Sequence, residues 1–93
     1  MYGVVMHEYM RDILSEEFII IFGSTKATAI NKAWNKLKED AGDSIHDFTF
    51  DDDTEVTKDT FKKVVIENET DEDGVYITPY HLYVKLFKVP AKA

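Results

Sequence analysis

Ninety-three residues carry 18 acidic and 11 basic side chains, a net charge of −7, and 44% of the chain is hydrophobic. That length fits one domain spanning residues 1–93, and the apolar content suffices for a core, which excludes a wholly disordered acidic tail. Cysteine is absent, which excludes disulfides, thiolate metal sites and thiol nucleophiles.

Tyr2–Met10 has Tyr, Val and Met on both alternating faces and reads as a strand covered on both sides. The polar residues Arg11, Asp12 and Ser15–Glu17 are expected to turn the chain. Phe18–Phe22 is then the clearest strand, and its unbroken hydrophobicity predicts a central position in a sheet, stopped by Gly23. Ser24 or Thr25 can cap a helix. Ala27, Ile30, Trp34, Leu37 and Ala41 follow at alternating spacings of three and four, a stripe that packs on the sheet with Trp34 as its anchor. Gly42 is placed to end this helix.

Ile45, Phe48 and Phe50 predict a short strand leading into the turn Asp51-Asp52-Asp53. Residues 57–68 are ambiguous. Phe61, Val64, Val65 and the cap-like Thr57 or Asp59 allow a helix, whereas Val64-Val65-Ile66 favours a strand. The turn chemistry of Glu69–Gly74 followed by Val75–Thr78 decides for a strand, paired as a hairpin of 61–68 with 75–78. After Pro79, which implies an edge or a bulge, Tyr80–Val89 is a strand with Tyr80, Leu82, Val84 and Leu86 on one face. His81, Tyr83, Lys85, Phe87 and Val89 lie on the other.

The fold expected is α+β: a mostly antiparallel sheet of five or six strands with one long amphipathic helix, about residues 25–41, packed on one face. One such helix, about 25 Å long, covers only part of one face, yet strands 2–10, 18–22 and 80–89 are apolar on both. The second face therefore needs a cover, either a partner subunit or the segment 51–60 folded over it.

Charge is unevenly distributed along the chain. From Glu39 to Asp73 there are 14 acids against Lys58, Lys62 and Lys63, a net −11, while the remaining 4 acids and 8 bases give +4. Such segregation predicts strong meetings with cationic surfaces and poor binding of nucleic acid. The partner-binding residues expected are Asp47, Asp51, Asp52, Asp53, Glu55, Glu69, Asp71, Glu72 and Asp73. In an extended segment Asp51, Asp53 and Glu55 would form a row about 7 Å apart, competing for the lysines and arginines that otherwise bind phosphates. This is how small acidic, bacteriophage-type inhibitors mimic nucleic acid. The plain alternative is that these acids are solvated loops that keep a small protein soluble.

Other chemistry has less support. Glu69-x-Asp71-x-Asp73-Gly74 has the opening rhythm of a calcium loop, but Tyr80 stands where the bidentate glutamate belongs. His7, His46 and His81 stand singly, with no metal-ligand spacing, although His7 and His81 could meet across the sheet. Gly23-Ser24-Thr25 lacks the further glycines and the lysine of a phosphate loop, and no serine lies in a nucleophile turn. Lys26, Lys32, Lys36 and Lys38 with Tyr76, Tyr80 and Tyr83 form the opposite pattern, a basic and aromatic surface for nucleic acid, against which the overall acidity weighs.

The first ten residues, broken by His7 and Glu8, are not expected to form a signal peptide. The longest apolar run, Phe18–Phe22, is far shorter than the roughly 20 residues that span a bilayer. The expectation is a cytoplasmic, non-enzymatic protein without cofactor or metal, whose acidic side engages a basic protein partner. The alternative is a homodimeric structural or accessory subunit with Tyr83, Lys85, Phe87 and Val89 at the contact.

Overall fold

The computed structural model describes residues 1–10, 15–70, 74–78 and 82–90, without the side chains of 8–10 and 15–18. Tyr2–Met10 (β1) and Ser15–Gly23 (β2) are antiparallel neighbours, with Val4 opposite Ile21 and Met6 opposite Ile19. The helix Lys26–Ala41 (α1) follows, then a 3-10 helix, Gly42–Asp47, and the short strand Thr49–Phe50 (β3). A second helix, Lys58–Glu67 (α2), precedes Val75–Thr78 (β4) and Leu82–Lys88 (β5). The strands form one antiparallel sheet in the order β2-β1-β5-β4-β3. The architecture is α+β, as the sequence predicts.

Helix α1 starts where expected. The Thr25 side chain accepts the Thr28 N–H at 3.1 Å, satisfying a donor that the first turn leaves without a carbonyl. It stops where expected too, because Gly42 takes a positive φ of 58° and donates its N–H to the Lys38 carbonyl. Ala29, Ile30, Ala33, Trp34 and Leu37 are buried on the sheet.

Several expectations are overturned. Residues 57–68 are not a strand: they hold α2, entered through a reciprocal capping box in which Thr57 accepts the Thr60 N–H and Thr60 accepts the Thr57 N–H. Two satisfied donors and the buried pair Phe61 and Val65, four residues apart, outweigh the few tenths of a kcal/mol by which the β-branched run Val64-Val65-Ile66 disfavours a helix. The hairpin of 61–68 with 75–78 accordingly does not exist, and β4 pairs with β5 and β3 instead. Ser15–Glu17 belongs to β2 rather than to a turn, and Ile45 sits in the 3-10 helix, leaving only Thr49–Phe50 as strand.

The fourth correction is positional. β2 lies at an edge of the sheet, not at its centre. Its hydrophobicity reflects its two faces: Ile19 and Ile21 pack towards the core, while Ile20 and Phe22 project from the opposite side.

Both helices lie on one face, over Val4, Met6, Ile77, Leu82, Val84 and Leu86. Alternation along β5 runs as expected, with Leu82, Val84 and Leu86 buried and Tyr83, Lys85 and Phe87 half-buried on the other side. The segment 51–60 does not cover the second face. Val56 enters the core, donating its N–H to the Phe48 carbonyl. Among the described residues, no segment lies across that face.

Candidate functional site

The acids are densest where the chain leaves α1 and crosses to α2 by way of the 3-10 helix, β3 and the loop that follows it. Within residues 43–59 Asp43, Asp47, Asp51, Asp52, Asp53, Glu55 and Asp59 are all exposed, and Lys58 is the sole lysine or arginine in that interval. The described ion pairs join Lys26 to Glu69 and Lys36 to Asp40, and so use none of these seven.

The three consecutive aspartates sit at the tip of a tight loop rather than on an extended row, which corrects the expected alternation of Asp51, Asp53 and Glu55. Phe50 and Thr54 are joined by an N–H to carbonyl bond of 2.9 Å, and Thr49 bridges to Glu55. Two of the aspartates have local duties. Asp53 adopts a left-handed φ of 67°, which a short polar side chain tolerates. Asp52 accepts the Thr54 N–H at 3.1 Å, an Asx turn. Among the described residues, the side chains of Asp47, Asp51 and Glu55 have no such part in the fold. Turn chemistry accounts for part of the acidity at this tip, and not for the rest.

Hydrogen bonding from Thr54, first through its side chain and then its backbone, holds the Asp52 carboxyl below the usual aspartate range. A lowered folded value means that this contribution is present above the ordinary aspartate pKa of about 3.9. It is lost as pH falls through the lowered value. Asp52→Asn, which keeps the accepting oxygen, is expected to trail the wild type in denaturant midpoint at neutral pH and to converge with it in acid. Urea melts at stepped pH check this.

Two residues that flank the second acidic segment, Asn68 and Gly74, come near the first. A shallow depression of about 260 Å³ is lined by Phe50, Asp51, Asp52, Val64, Asn68, Gly74, Val75 and Tyr76. Asn68 and Gly74 thus border the same hollow as Asp51 and Asp52. Asp71, Glu72 and Asp73 lie outside the described residues. Glu69 is half-buried and already engaged, accepting from Lys26 at 2.6 Å. That bond, opposed by some desolvation and aided by the charge of Glu69, raises the Lys26 pKa above its ordinary value. Glu69 therefore serves to tie α1 to the end of α2, beside the ammonium of Lys85, which reaches the carbonyls of Asn68 and Glu69.

Of the basic helix face, Lys26 and Lys36 hold acids, and Lys32 donates to the Phe22 carbonyl at 3.2 Å. Lys38 stays exposed beside a hollow lined by Trp34, Glu55 and Val56. Tyr76 and Tyr83 meet edge to face, 5.5 Å apart, on the open side of the sheet, and Tyr80 lies outside the described residues. His7 faces that open side opposite Tyr83, His46 is exposed in the 3-10 helix, and His81 lies outside the described residues. The loop with the calcium-like rhythm runs from helix α2 into strand β4, so its flanks are not two strands. Among the described residues no three potential metal ligands come together.

Sequence pattern alone does not show that the aspartates of the tip and the exposed pair Ile20 and Phe22 fall on opposite edges. Knowing that β2 and β3 bound the sheet reveals it, and strand order is what separates them.

These features define a small α+β protein with an acidic edge at β3 and an apolar open face towards β2. No family model, curated protein or solved structure matches the chain. Among the described residues no helix is long and apolar enough to cross a membrane.

Proposed function

We propose that the protein is a non-enzymatic binding module of the cytoplasm whose β3 edge engages a basic protein surface of the kind that otherwise holds nucleic-acid phosphates. The observation that carries this reading is that residues 43–59 hold seven exposed carboxylates, none of them in a described ion pair, against one lysine in that stretch of chain. Charges left unmatched within a molecule keep their field for a partner, raising encounter rates and competing with polyanions for lysine and arginine. Asp47, Asp51 and Glu55, whose side chains have no described role in the loop's own geometry, are the residues most free to serve it; Asp52 and Asp53 add charge while shaping the tip.

Capture of partners from the native host tests this, using the wild type and the triple variant Asp51→Asn, Asp52→Asn, Asp53→Asn. Asparagine keeps both the accepting oxygen and the tolerance of left-handed backbone, so the turn survives while three charges go. A basic partner is expected that is released by raised salt, displaced by heparin, and bound at least ~10-fold more weakly by the variant. A partner indifferent to salt and to the substitutions eliminates the electrostatic role.

A further inference from the structure

The face of the sheet turned away from the helices is apolar and uncovered among the described residues. Ile20 is 49% exposed, Phe22 47% and Tyr76 46%, and what matters is that they share one face, since single exposed apolar side chains are ordinary. The surface is continuous. Gly3 stands between Phe22 on β2 and Phe87 on β5, its register partners on either side. Lacking a side chain, it lets the two rings meet above β1 edge to face at 6.4 Å. Farther across, Tyr83 contacts Tyr76 on β4.

We infer that this face, formed by Val5, Ile20, Phe22, Tyr76, Tyr83 and Phe87, seats a second copy of the same chain, docked sheet to sheet about a two-fold axis. Charge argues for that occupant. The described residues of the face include one charged side chain, Lys85, and its ammonium is drawn off to the carbonyls of Asn68 and Glu69. Two molecules of net charge −7 repel least when they approach through a face whose described side chains include no carboxylate. A cationic partner, by contrast, is drawn to the β3 edge.

Area argues the same way. Strands of nine, nine, seven, four and two residues, at about 3.3 Å per residue and about 4.8 Å between strands, give roughly 500 Å² in projection. Side-chain relief brings this to the ~600 Å² per partner at which specific interfaces begin. Aligned sheets pack about 10 Å apart, and an isologous contact makes each ring serve on both sides of the axis.

Sedimentation equilibrium and light scattering over a concentration series test the inference. The wild type is expected as a dimer. The double variant Ile20→Glu, Phe22→Glu is expected to self-associate at least ~100-fold more weakly, the effect of losing central aromatic and aliphatic contacts, with its helical circular dichroism unchanged. If that variant loses its helical signal, Tyr76→Glu at the far end of the face replaces it, with the same weakening expected. A wild type that is monomeric up to ~1 mM overturns the inference. So does a dimer that survives the face substitutions, or a monomer that co-sediments with phosphatidylcholine vesicles, which would make a lipid surface the occupant.

Discussion

Replacing Phe61 by alanine is expected to lower the unfolding free energy by ~3–5 kcal/mol. Phe61 is fully buried, and its ring lies 5.6 Å from that of Trp34, tilted by 45°. Trp34 belongs to α1 and Phe61 to α2, so the pair joins the two helices to each other above the sheet. Trp34→Ala should cost a similar ~3–5 kcal/mol, and the double variant should fall short of the sum by ~0.5–1.5 kcal/mol if the rings interact beyond their area. Against a total stability of about 5–15 kcal/mol for a small domain, either change leaves a marginal protein. Lys63→Ala provides the control. In a strand Lys63 would share a face with Phe61 and Val65, but in α2 it is exposed, so its removal should change stability by no more than ~0.5 kcal/mol. Urea denaturation followed by circular dichroism measures all four. A Phe61→Ala protein with an unchanged midpoint would contradict the packing of α2.

Residues that act through local physics are legible in the order of the amino acids. Thr25, the stripe through Trp34 and Gly42 specify α1 by capping, periodicity and backbone conformation, each a property of neighbouring residues. The assignment of α2 turns on a closer balance. The same short segment, from Thr57 through α2, carries β-branched side chains and a capping box, and the box is recognised as such only once Thr57 and Thr60 are seen to bond reciprocally. β2 shows a different limit. An unbroken apolar run reports that both faces of a strand are hydrophobic, and is silent on whether both of its hydrogen-bonding edges are occupied. Ile20 and Phe22 are hydrophobic because of the face they stand on, while the place of β2 at the rim follows from its pairing with β1 alone.

The candidate site is legible in composition but not in shape. The density of acids between Glu39 and Asp73 is plain in the sequence, yet which carboxylates are already matched depends on contacts far apart in the chain. Glu69 meets Lys26 across 43 positions, a pairing no local pattern announces. Seven acids of residues 43–59 have no such match among the described ion pairs. The number of acids is therefore a poor guide to available charge, and the crossing between α1 and α2 a better one. Sheet order adds that β3, within this crossing, stands at the edge opposite β2. Tyr76, on the open face, borders the hollow that Asp51 and Asp52 also line, so the acidic tip and the open face are neighbours at that end.

Gly23→Ala is expected to destabilise by ~3 kcal/mol, at the upper end of the range for forcing atoms into a packed site. Gly23 closes β2 opposite Tyr2, just before α1 begins. A Cβ there would stand 2.4 Å from the Ala29 nitrogen and 2.8 Å from its Cα, with the Thr28 carbonyl carbon at 3.0 Å. These are backbone atoms of the first turns of the helix, and no rotamer change can move them. Relief requires α1 to lift from the sheet, which loosens Ala29, Ile30 and Ala33 together, all buried within 1% exposure. Gly3→Ala makes the informative comparison, because its Cβ would meet an obstacle just as near, 2.4 Å away, but that obstacle is the end of the Phe87 ring. On the open face the ring can swing aside, so the change should cost less than ~1 kcal/mol. Its main effect should instead be to break the edge contact of Phe87 with Phe22 and weaken self-association. Denaturation midpoints at constant slope separate the two glycines, and the ordering Gly23→Ala far below Gly3→Ala in stability is the expected result. The reverse order would mean that α1 does not rest on the end of β2.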